Sequence, residues 1–434
     1  MSTFIRLGKK VKKFAKTALL PAPKCNISYC RRIEQVKTKQ RVCAMTFDDG
    51  PMDVPAVPDL FEGRALTDVL LDVLDNFGAR GTFDIIGTTA DNYPDVCGKV
   101  GTPSWGGTAY DHYPSFGADR HGGAVHCPQL IERMIREGHQ LSNHGYRHIL
   151  FGRKPYVYGK RVSFGDLNKV VEDISALDQL LRASYGYRMT MGRPTHYVDR
   201  IDKYFTSYDA YDKMGYLYLA ASFDGAGWLA SKLADPESAM QAELEEMVRP
   251  MQQKLEENPD FFCGQIIFQK DGYNMQMRTP VAVGLRRQLE LLEKAGYRVV
   301  TAQELLDISP FADVGEDDPD FEVFRMLSRT HAIAYSDNTL RPDKPMTCGE
   351  FAMLAAPRND AVDGRIAGLQ AGNRAFRHKY SGAMAWCKQE GLLPQNAAND
   401  TLLDAAVLRN AGDLLGGALP DTFSRREILR RFCG

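Results

Sequence analysis

The chain lacks several features that would assign it to a class of protein at once. No stretch of its 434 residues approaches the roughly 18 consecutive apolar residues of a membrane-spanning helix. Its formal net charge is −1, which argues against a protein that binds nucleic acid over its whole surface. A hydrophobic content of 44% and a charged content of 25% are ordinary for a soluble globular protein. The length predicts two or three domains.

The cysteines also lack a pattern. There are nine, an odd number, and no pair has the spacing of a zinc finger. They lie at positions 25, 30, 43, 97, 127, 263, 348, 387 and 433. Thiols scattered in this way indicate a reducing compartment rather than a disulfide framework.

The first 33 residues lack acidic side chains and contain nine Lys or Arg. If this segment is helical, its basic residues lie opposite an apolar face of Phe4, Leu7, Val11, Phe14 and Ala18. The apolar part is too short and too interrupted for a secretory signal peptide. A basic amphipathic helix can lie on an anionic membrane, so residues 1–20 predict peripheral membrane contact. The alternative is a docked helix or a loose arm, and the predicted location is cytoplasmic or peripheral to a membrane.

From residue 41 to about residue 306, apolar strand-like runs alternate with amphipathic helical stretches. The predicted strands are 42–45, 81–87, 140–143, 216–223, 265–268 and 298–300, and the predicted helices are 64–77, 128–138, 166–184, 236–256 and 280–295. Such alternation is typical of βα units around a parallel sheet or barrel. Residues 88–127 interrupt it with an insertion long enough to suggest a functional loop.

The rest of the chain has a different character. Residues 1–40 form the basic N-terminal segment, and the acidic stretch 307–320 predicts a linker. Residues 321–434 predict a small all-helical domain, because segments 347–350 (TCGE) and 424–427 (SRRE) have the pattern of capping boxes that open apolar helices. Their similarity suggests a degenerate internal repeat.

The run TFDDGP at residues 46–51 places two adjacent carboxylates, Asp48 and Asp49, at the end of a predicted strand. The Gly-Pro pair stops the strand, and the ends of such strands are where α/β barrels keep their chemistry. Adjacent side chains on a strand point to opposite sides, so the strand end must bend or the two Asp must have separate roles. One could bind a metal while the other acts as a base. The alternative is a solvated turn.

A second candidate site contains His144 and His148. On one face of a helical turn, two His four residues apart can reach one cation. Imidazoles suit Zn, Co, Ni or Fe. Together with Asp49 they would form a three-ligand set that leaves a coordination position open, as catalytic metal sites do. The alternative is two separately hydrogen-bonded His.

These motifs resemble those of the polysaccharide deacetylase, or NodB-homology, enzymes of carbohydrate esterase family 4. The resemblance covers roughly residues 41–306 and rests on five ordered segments. They are 46–51 (TFDDGP), 138–148 (GHQLSNHGYRH), 192–197 (GRPTHY), 224–228 (DGAGW) and 264–272 (GQIIFQKDG). The resemblance implies a distorted (β/α) barrel with one divalent metal ion at its mouth, most simply Zn, with Co, Ni or Fe as alternatives.

The resemblance also implies a role for each matching residue. Asp48 would be the general base and Arg193 would orient it, while Asp49, His144 and His148 would bind the metal. In addition, Asp224 would tune the acid from the fifth segment, and Trp228 and Tyr197 would contact the substrate.

The sequence departs from the family at two positions. Gly145 stands where the family usually has Ser or Thr, and Lys270 stands where the fifth segment usually has the His that protonates the leaving amine. Lys270 could serve as that acid if burial or the metal lowers its pKa, or it could simply form an ion pair with Asp224. His196 is a second candidate for the acid or for a substrate contact.

Residues 321–434 resemble degenerate S-layer homology repeats. The segments that carry this resemblance are 334–343 (AYSDNTLRPD), followed by the capping box at 347–350, and 378–393 (HKYSGAMAWCKQEGLL). The resemblance implies binding of cell-wall polymer and, as an alternative location, the cell surface. The absence of a clear signal peptide argues for a helical interaction domain instead.

The function expected from the sequence is a metal-dependent hydrolase of non-peptide carbon–nitrogen bonds that deacetylates N-acetylated amino sugars in a glycan. One alternative is a hydrolase of a small non-sugar amide on the same barrel. The other is a non-catalytic carbohydrate-binding or scaffold protein, which the Lys270 change would favour. No nucleic-acid partner is expected.

Overall fold

A computed structural model describes residues 25–89, 120–153, 163–274, 276–417 and 422–433. Most of its strands form one sheet in which every pairing between strands is parallel. The strands are β1 (Arg32–Ile33), β2 (Val42–Asp48), β3 (Thr82–Ile85), β4 (Gln140–Asn143), β7 (Met191–Gly192), β8 (Leu217–Leu219), β9 (Phe223–Asp224), β10 (Ile266–Lys270) and β11 (Arg298–Val300). A separate pair consists of β5 (Leu150–Phe151) and β6 (Ser163–Phe164).

Strand β2 lies at the centre of the sheet, and all seven of its residues are buried. A strand with both faces covered needs a nearly continuous apolar sequence, as VCAMTFD provides up to its last residue. β10 pairs with β2 along one edge, while β11 and then β3 pair along the other. The last residue of β2, Asp48, therefore lies among the ends of its neighbours.

The sheet curls, and the chain just after β1 closes the seam between β8 and β10. β1 pairs with β8, and the amide of Ile266 then donates to the carbonyl of Glu34 at 3.2 Å. The amide of Val36 donates to the carbonyl of Gly264 at 2.9 Å. The predicted distorted (β/α) barrel is thus confirmed, and it uses a strand from before residue 41.

The helices around the sheet are α1 (Pro58–Phe61), α2 (Leu66–Asn76), α3 (Pro128–Arg136), α4 (Leu167–Tyr185), α5 (Ser207–Met214), α6 (Pro236–Glu257), α7 (Val281–Lys294) and α8 (Ala302–Ile308). The five predicted helices are confirmed to within about two residues at each end, as expected of strongly periodic segments. For example, the Asp166 side chain accepts hydrogen bonds from two amides at the start of α4, and Gly186 ends it at φ 64°.

The predicted strand 216–223 is wrong as one element, because the structure has β8 and β9 there. Between them the chain changes partner. The amide of Ala220 donates to the carbonyl of Ile33 in β1, whereas the amide of Ser222 donates to the carbonyl of Ile266 in β10. The segment crosses the seam at this point, which breaks the strand into two.

The C-terminal part is helical, with α9 (Phe321–Leu327), α10 (Cys348–Ala355), α11 (Arg358–Gln370), α12 (Ser381–Gln389) and α13 (Arg425–Cys433). It has its own apolar core, to which Phe311 and Val314 of the 309–320 stretch contribute. The capping box predicted at 347–350 is confirmed, with the Thr347 and Glu350 side chains each bonding the other's backbone. Within the described residues, the structure contains no helix long and apolar enough to cross a membrane.

Candidate metal centre

Three charged side chains lie side by side where the central strands end. The strand register places Lys270 of β10 beside Asp48 of β2, and Asp48 beside Asp84 of β3. Paired residues of a parallel sheet project to the same side. The register therefore gathers two carboxylates and one ammonium at the C-terminal edge of the sheet.

Asp49 turns the chain so that adjacent carboxylates can face one point. The strand ends at Asp48, and Asp49 has a positive φ of 84°. As a result, Asp48 Oδ2 lies 3.8 Å and Asp49 Oδ1 lies 3.3 Å from the same atom, Nε2 of His144. Of the two arrangements that the sequence allowed, the bent strand end is the one the structure has.

The two His of the predicted site come together, but not on a helix. His144 and His148 lie in the loop after β4, with their ring centroids 5.1 Å apart. The loop bends sharply, with φ of 91° at Gly145 and 54° at His148. A Cβ on Gly145 would also lie only 3.1 Å from an oxygen of the buried Asp173, which accounts for glycine at this position.

Asp49, His144 and His148 each direct one ligand atom to a common point, and these atoms lie within 4.8 Å of one another. Asp49 Oδ1 lies 2.8 Å from His148 Nε2. Two imidazole nitrogens and one carboxylate oxygen are a ligand set typical of catalytic metal sites. The donor atoms of these three residues therefore fit a divalent cation.

The backbone around the site fixes the His144 ring. Its Nδ1 lies 2.9 Å from the carbonyl oxygen of Arg193, so Nδ1 carries the proton and donates it to that carbonyl. The other ring nitrogen, Nε2, then faces Asp49. A His held in this way by a carbonyl is a common arrangement among metal-binding His.

Arg193 is completely buried and forms the support of the site. Its guanidinium forms an ion pair with Asp48 and lies 3.1 Å from a carboxylate oxygen of Asp84. It also donates to the Thr46 hydroxyl at 3.0 Å and to the Leu219 carbonyl at 3.2 Å. These contacts come from three strands, β2, β3 and β8, so Arg193 holds Asp48 in one orientation.

The electrostatics of the site favour positive charge. Burial lowers the pKa of His144, but the nearby carboxylates of Asp48 and Asp49 outweigh it and raise that pKa to about 9. His148 is different, because burial lowers its pKa despite the adjacent Asp49. Burial also raises the pKa of Asp84 to about 7, against the pull of Arg193. The field that retains a proton on His144 would equally attract a cation.

Lys270 does not form the ion pair with Asp224 that the sequence offered as an alternative. Its ammonium contacts Asp49 Oδ2, and both side chains are almost completely buried. Asp49 thus has two separate contacts, with Oδ1 facing the two His and Oδ2 facing Lys270. Lys270 lies beside the candidate metal site rather than across the pocket from it.

Asp224 and Trp228 form a contact of their own. The Trp228 indole N–H donates to both oxygens of Asp224, at 2.9 and 3.1 Å, and the Ala226 amide donates at 2.8 Å. Asp224 is exposed, and none of its contacts within the described residues reaches Lys270. No hydrogen bond of Asp224 within the described residues therefore supports the predicted tuning of Lys270 by Asp224.

The short 3₁₀ turn Thr195–Tyr197 brings the third-segment residues to the site. His196, with φ of 53°, places its ring centroid 6.0 Å from that of His148. Tyr197 is half-buried, and its ring centroid lies 5.5 Å from the guanidinium carbon of Arg193 and 5.7 Å from that of Arg32. His196 thus lies at the site, whereas Tyr197 packs against its supporting arginine.

Asp84 was missed from the sequence. It is fully buried in the middle of GTFDIIG, and its two oxygens accept no hydrogen bond from the described residues, although Arg193 lies close. An acid inside an otherwise apolar buried strand is the signal that could have identified it, since such residues are almost never fully buried without a partner.

Part of the chain is similar in sequence to known proteins. Residues 35–200 match the family model for polysaccharide deacetylase. The chain is 24% identical over 174 residues to the peptidoglycan-N-acetylmuramic acid deacetylase PdaC of Bacillus subtilis. That alignment covers 40% of this chain and 25% of PdaC, so the chain matches only about a quarter of its curated relative.

Solved structures with the same order of similarity include an enzyme and a pseudoenzyme. The chitin deacetylase of Colletotrichum lindemuthianum is 18% identical with a TM-score of 0.42, covering 67% of this chain and 93% of the other. A CE4 family pseudoenzyme of Bacillus anthracis is 10% identical with a TM-score of 0.40, covering 63% and 68%. Similarities at this level indicate neither activity nor substrate. The family model and the PdaC alignment do show that residues 35–200 of this chain match a polysaccharide deacetylase domain.

Proposed function

We propose that the protein is a metal-dependent hydrolase that removes N-acetyl groups from amino sugars in a glycan. The convergence of Asp49, His144 and His148 beside the Arg193-bound Asp48 carries the proposal. A protein that only binds carbohydrate would have no use for a buried carboxylate oriented by an arginine next to a ligand set. The likeness to the peptidoglycan deacetylase PdaC supports the same class of substrate.

The ligand set would hold one divalent cation through Asp49 Oδ1 and the Nε2 atoms of the two His. Two nitrogen ligands and one oxygen ligand suit Zn, which we propose as the natural metal. When bound, such a cation polarises the acyl carbonyl and lowers the pKa of water. Within the chain, Arg193 and the backbone carbonyl it presents to His144 keep both the base and one ligand in place.

Asp48 has the geometry of a general base. One of its oxygens is held by Arg193, and the other lies 3.8 Å from His144 Nε2, on the side of the ligand set. That second oxygen can accept a proton from a water that attacks the acetyl carbonyl. Since Arg193 is completely buried, the orientation of Asp48 is fixed before substrate arrives.

The proton for the departing amine has two candidate sources in the described structure. Lys270 is buried on Asp49 and places its positive charge beside the ligand set. His196 is half-buried, and its ring centroid lies 6.0 Å from that of His148. We propose Lys270 as the residue that orients Asp49 and stabilises developing negative charge, and His196 as the acid.

The wall of the pocket would be formed by Trp228, which Asp224 holds through the indole N–H. Its apolar face suits a sugar ring. Membrane contact by residues 1–20 lies outside the described residues and stays a prediction, as does binding of cell-wall polymer by residues 321–434 and the cytoplasmic, peripheral or cell-surface location.

The test combines metal content with acetate release. Purified protein loaded with Zn should retain about one ion per chain after dialysis, as expected of a three-ligand site. Asp49→Asn and His148→Asn should lose most of it, whereas His378→Asn in the C-terminal part should not. Acetate should be released from chito-oligosaccharides or peptidoglycan fragments by the wild type and the His378→Asn control only.

Three results would count against the proposal in different ways. Equal metal content in the wild type and in Asp49→Asn would show that the metal is not bound at the proposed site. Metal binding with no acetate from any acetylated sugar, but with turnover of a small amide, would favour the alternative hydrolase. Metal binding with no turnover of any amide would favour a binding protein in which the Lys270–Asp49 pair has replaced catalysis.

A further inference from the structure

A cavity of about 420 Å³ lies at the opposite face of the barrel from the metal centre. It opens where strands begin: Leu217 is the first residue of β8, and Arg31 directly precedes β1. Residues of α8 form another side, and residues of the C-terminal part, between Arg325 and Ala334 together with Arg358, form a further side. The cavity therefore lies between the barrel and the helical part.

The charge of the cavity is strongly unbalanced. Its lining includes Arg31, Arg325, Arg329 and Arg358, together with one acidic residue, Asp307. Arg325 forms an ion pair with the exposed Glu322 at 2.6 Å, and Arg358 donates to a backbone carbonyl near the Asp212 carboxylate. Arg329 makes no ion pair within the described part of the chain.

Arg31 is the most unusual of the four. It is 9% exposed, and its Nη1 donates at 2.9 Å to two neutral oxygens, the Pro310 carbonyl and Asn338 Oδ1. No carboxylate contacts it within the described residues, and burial lowers its pKa to about 10. A buried guanidinium with no anion beside it is costly, and a bound anion would offset that cost.

We propose that this cavity is a binding site for a phosphate-bearing small molecule. Several guanidinium groups around one cavity match the charge and the oxygens of a phosphate better than those of a single carboxylate. The lining also includes the hydroxyl of Ser28, whereas the hydroxyls of Ser328 and Thr330 form hydrogen bonds within the chain. The volume is within the range of cavities that hold small organic ligands, which leaves room for a sugar or similar group beside the phosphate.

The site is separate from the chemistry at the other end of the strands. Gln303 and Ala302 at the start of α8 donate their backbone amides to Gln140 and Thr82, the first residues of β4 and β3. Those strands end in Asn143 and Ile85, beside the metal centre. The cavity and the metal centre therefore lie at opposite ends of these strands. Phosphate binding in the cavity can be measured directly, without an assay of acetate release.

The experiment is titration calorimetry of the full chain at low salt with two probes, inorganic phosphate and glucose 6-phosphate. Wild type and the exposed control Arg287→Met on α7 should bind at least one of them with the same affinity. Arg329→Met and Arg31→Met should bind it about tenfold more weakly or worse, as expected when one charged hydrogen bond is lost. Because Arg31→Met removes a buried side chain, its folding is checked by circular dichroism, and Arg329→Met alone suffices if it fails.

The two probes also separate the sources of the phosphate group. Tighter binding of glucose 6-phosphate indicates an organic phosphate as the ligand, and equal or tighter binding of inorganic phosphate indicates the free ion. No heat with either probe in the wild type would refute the site. Equal affinity in Arg329→Met and the wild type would also refute it, and so would an equal loss in Arg287→Met, since either result assigns the binding to general surface charge.

Discussion

Replacing His139 by Asn should make the protein less sensitive to acid. His139 is 4% exposed, and its Nδ1 accepts a hydrogen bond from the Gly81 amide at 3.0 Å. Its ring also packs edge-on against Phe83, with centroids 5.5 Å apart. Burial lowers the pKa of His139 to about 4, although Glu137 opposes the shift. Asn keeps an acceptor near the position of Nδ1 but cannot take up a proton.

The sign and size of this effect on stability follow from the linkage between folding and protonation of His139. An unfolded chain protonates a His at about pH 6.5, whereas the folded protein does so only at about pH 4. Between these values the unfolded state binds more protons, so the free energy of unfolding falls as the pH falls. From about pH 7.5 to about pH 5 this one group should reduce it by about 2 kcal/mol.

The measurement is urea denaturation of metal-free protein at several pH values, with a chelator present so that the metal centre does not contribute. Other buried groups such as Asp84 and Asp271, whose pKa values burial raises to about 7, affect both proteins equally and cancel in the difference. His121→Asn, at a side chain that is 52% exposed, is the matched control. If the free energy of unfolding falls by the same amount in the wild type and in His139→Asn as the pH is lowered, the reasoning is refuted.

Two further substitutions test the contact of Arg193 with Asp48 and the contact between the barrel and the C-terminal part. Arg193→Lys keeps a positive charge but cannot contact Asp48 and Asp84 together, so kcat for deacetylation should fall about 100-fold while bound metal, measured by mass spectrometry, stays unchanged. Unchanged kcat would show that Asp48 needs no such support. Asp209→Asn removes a buried carboxylate that faces two basic residues of the C-terminal part, and should cost about 3–5 kcal/mol in urea denaturation. A loss below about 1 kcal/mol would show that this contact is not a stabilising one.

The long elements could be predicted because their sequence repeats the period of the structure. The helices around the barrel are amphipathic over many residues, and β2 is buried on both faces. Strands of two residues, such as β1 and β7, carry no such period and exist because a neighbouring strand pairs with them. Their positions depend on tertiary contacts and could not be read from local sequence.

The residues of the site were predicted better than their arrangement. His144 and His148 were identified through the spacing of a helical turn, yet they meet through a loop with two residues at positive φ. The partner of Lys270 depends on the register of β10 against β2, which no local pattern specifies. In the same way, the register of β3 against β2 places Asp84 beside Asp48, so Asp84 could not be identified from local sequence.

The strand before residue 41 has a consequence for dividing the protein into fragments. β1 closes the barrel, and the residues around it also bond the C-terminal part, with Ser28 donating to Ala334 and Arg32 donating to Ser336. One short stretch of chain is thus shared by both halves. A fragment cut at residues 41 and 306 would lose the barrel strand β1. The remaining C-terminal fragment would lose its backbone hydrogen bonds with Ser28 and Arg32. The two parts are better expressed together, with the segment from residue 25 retained.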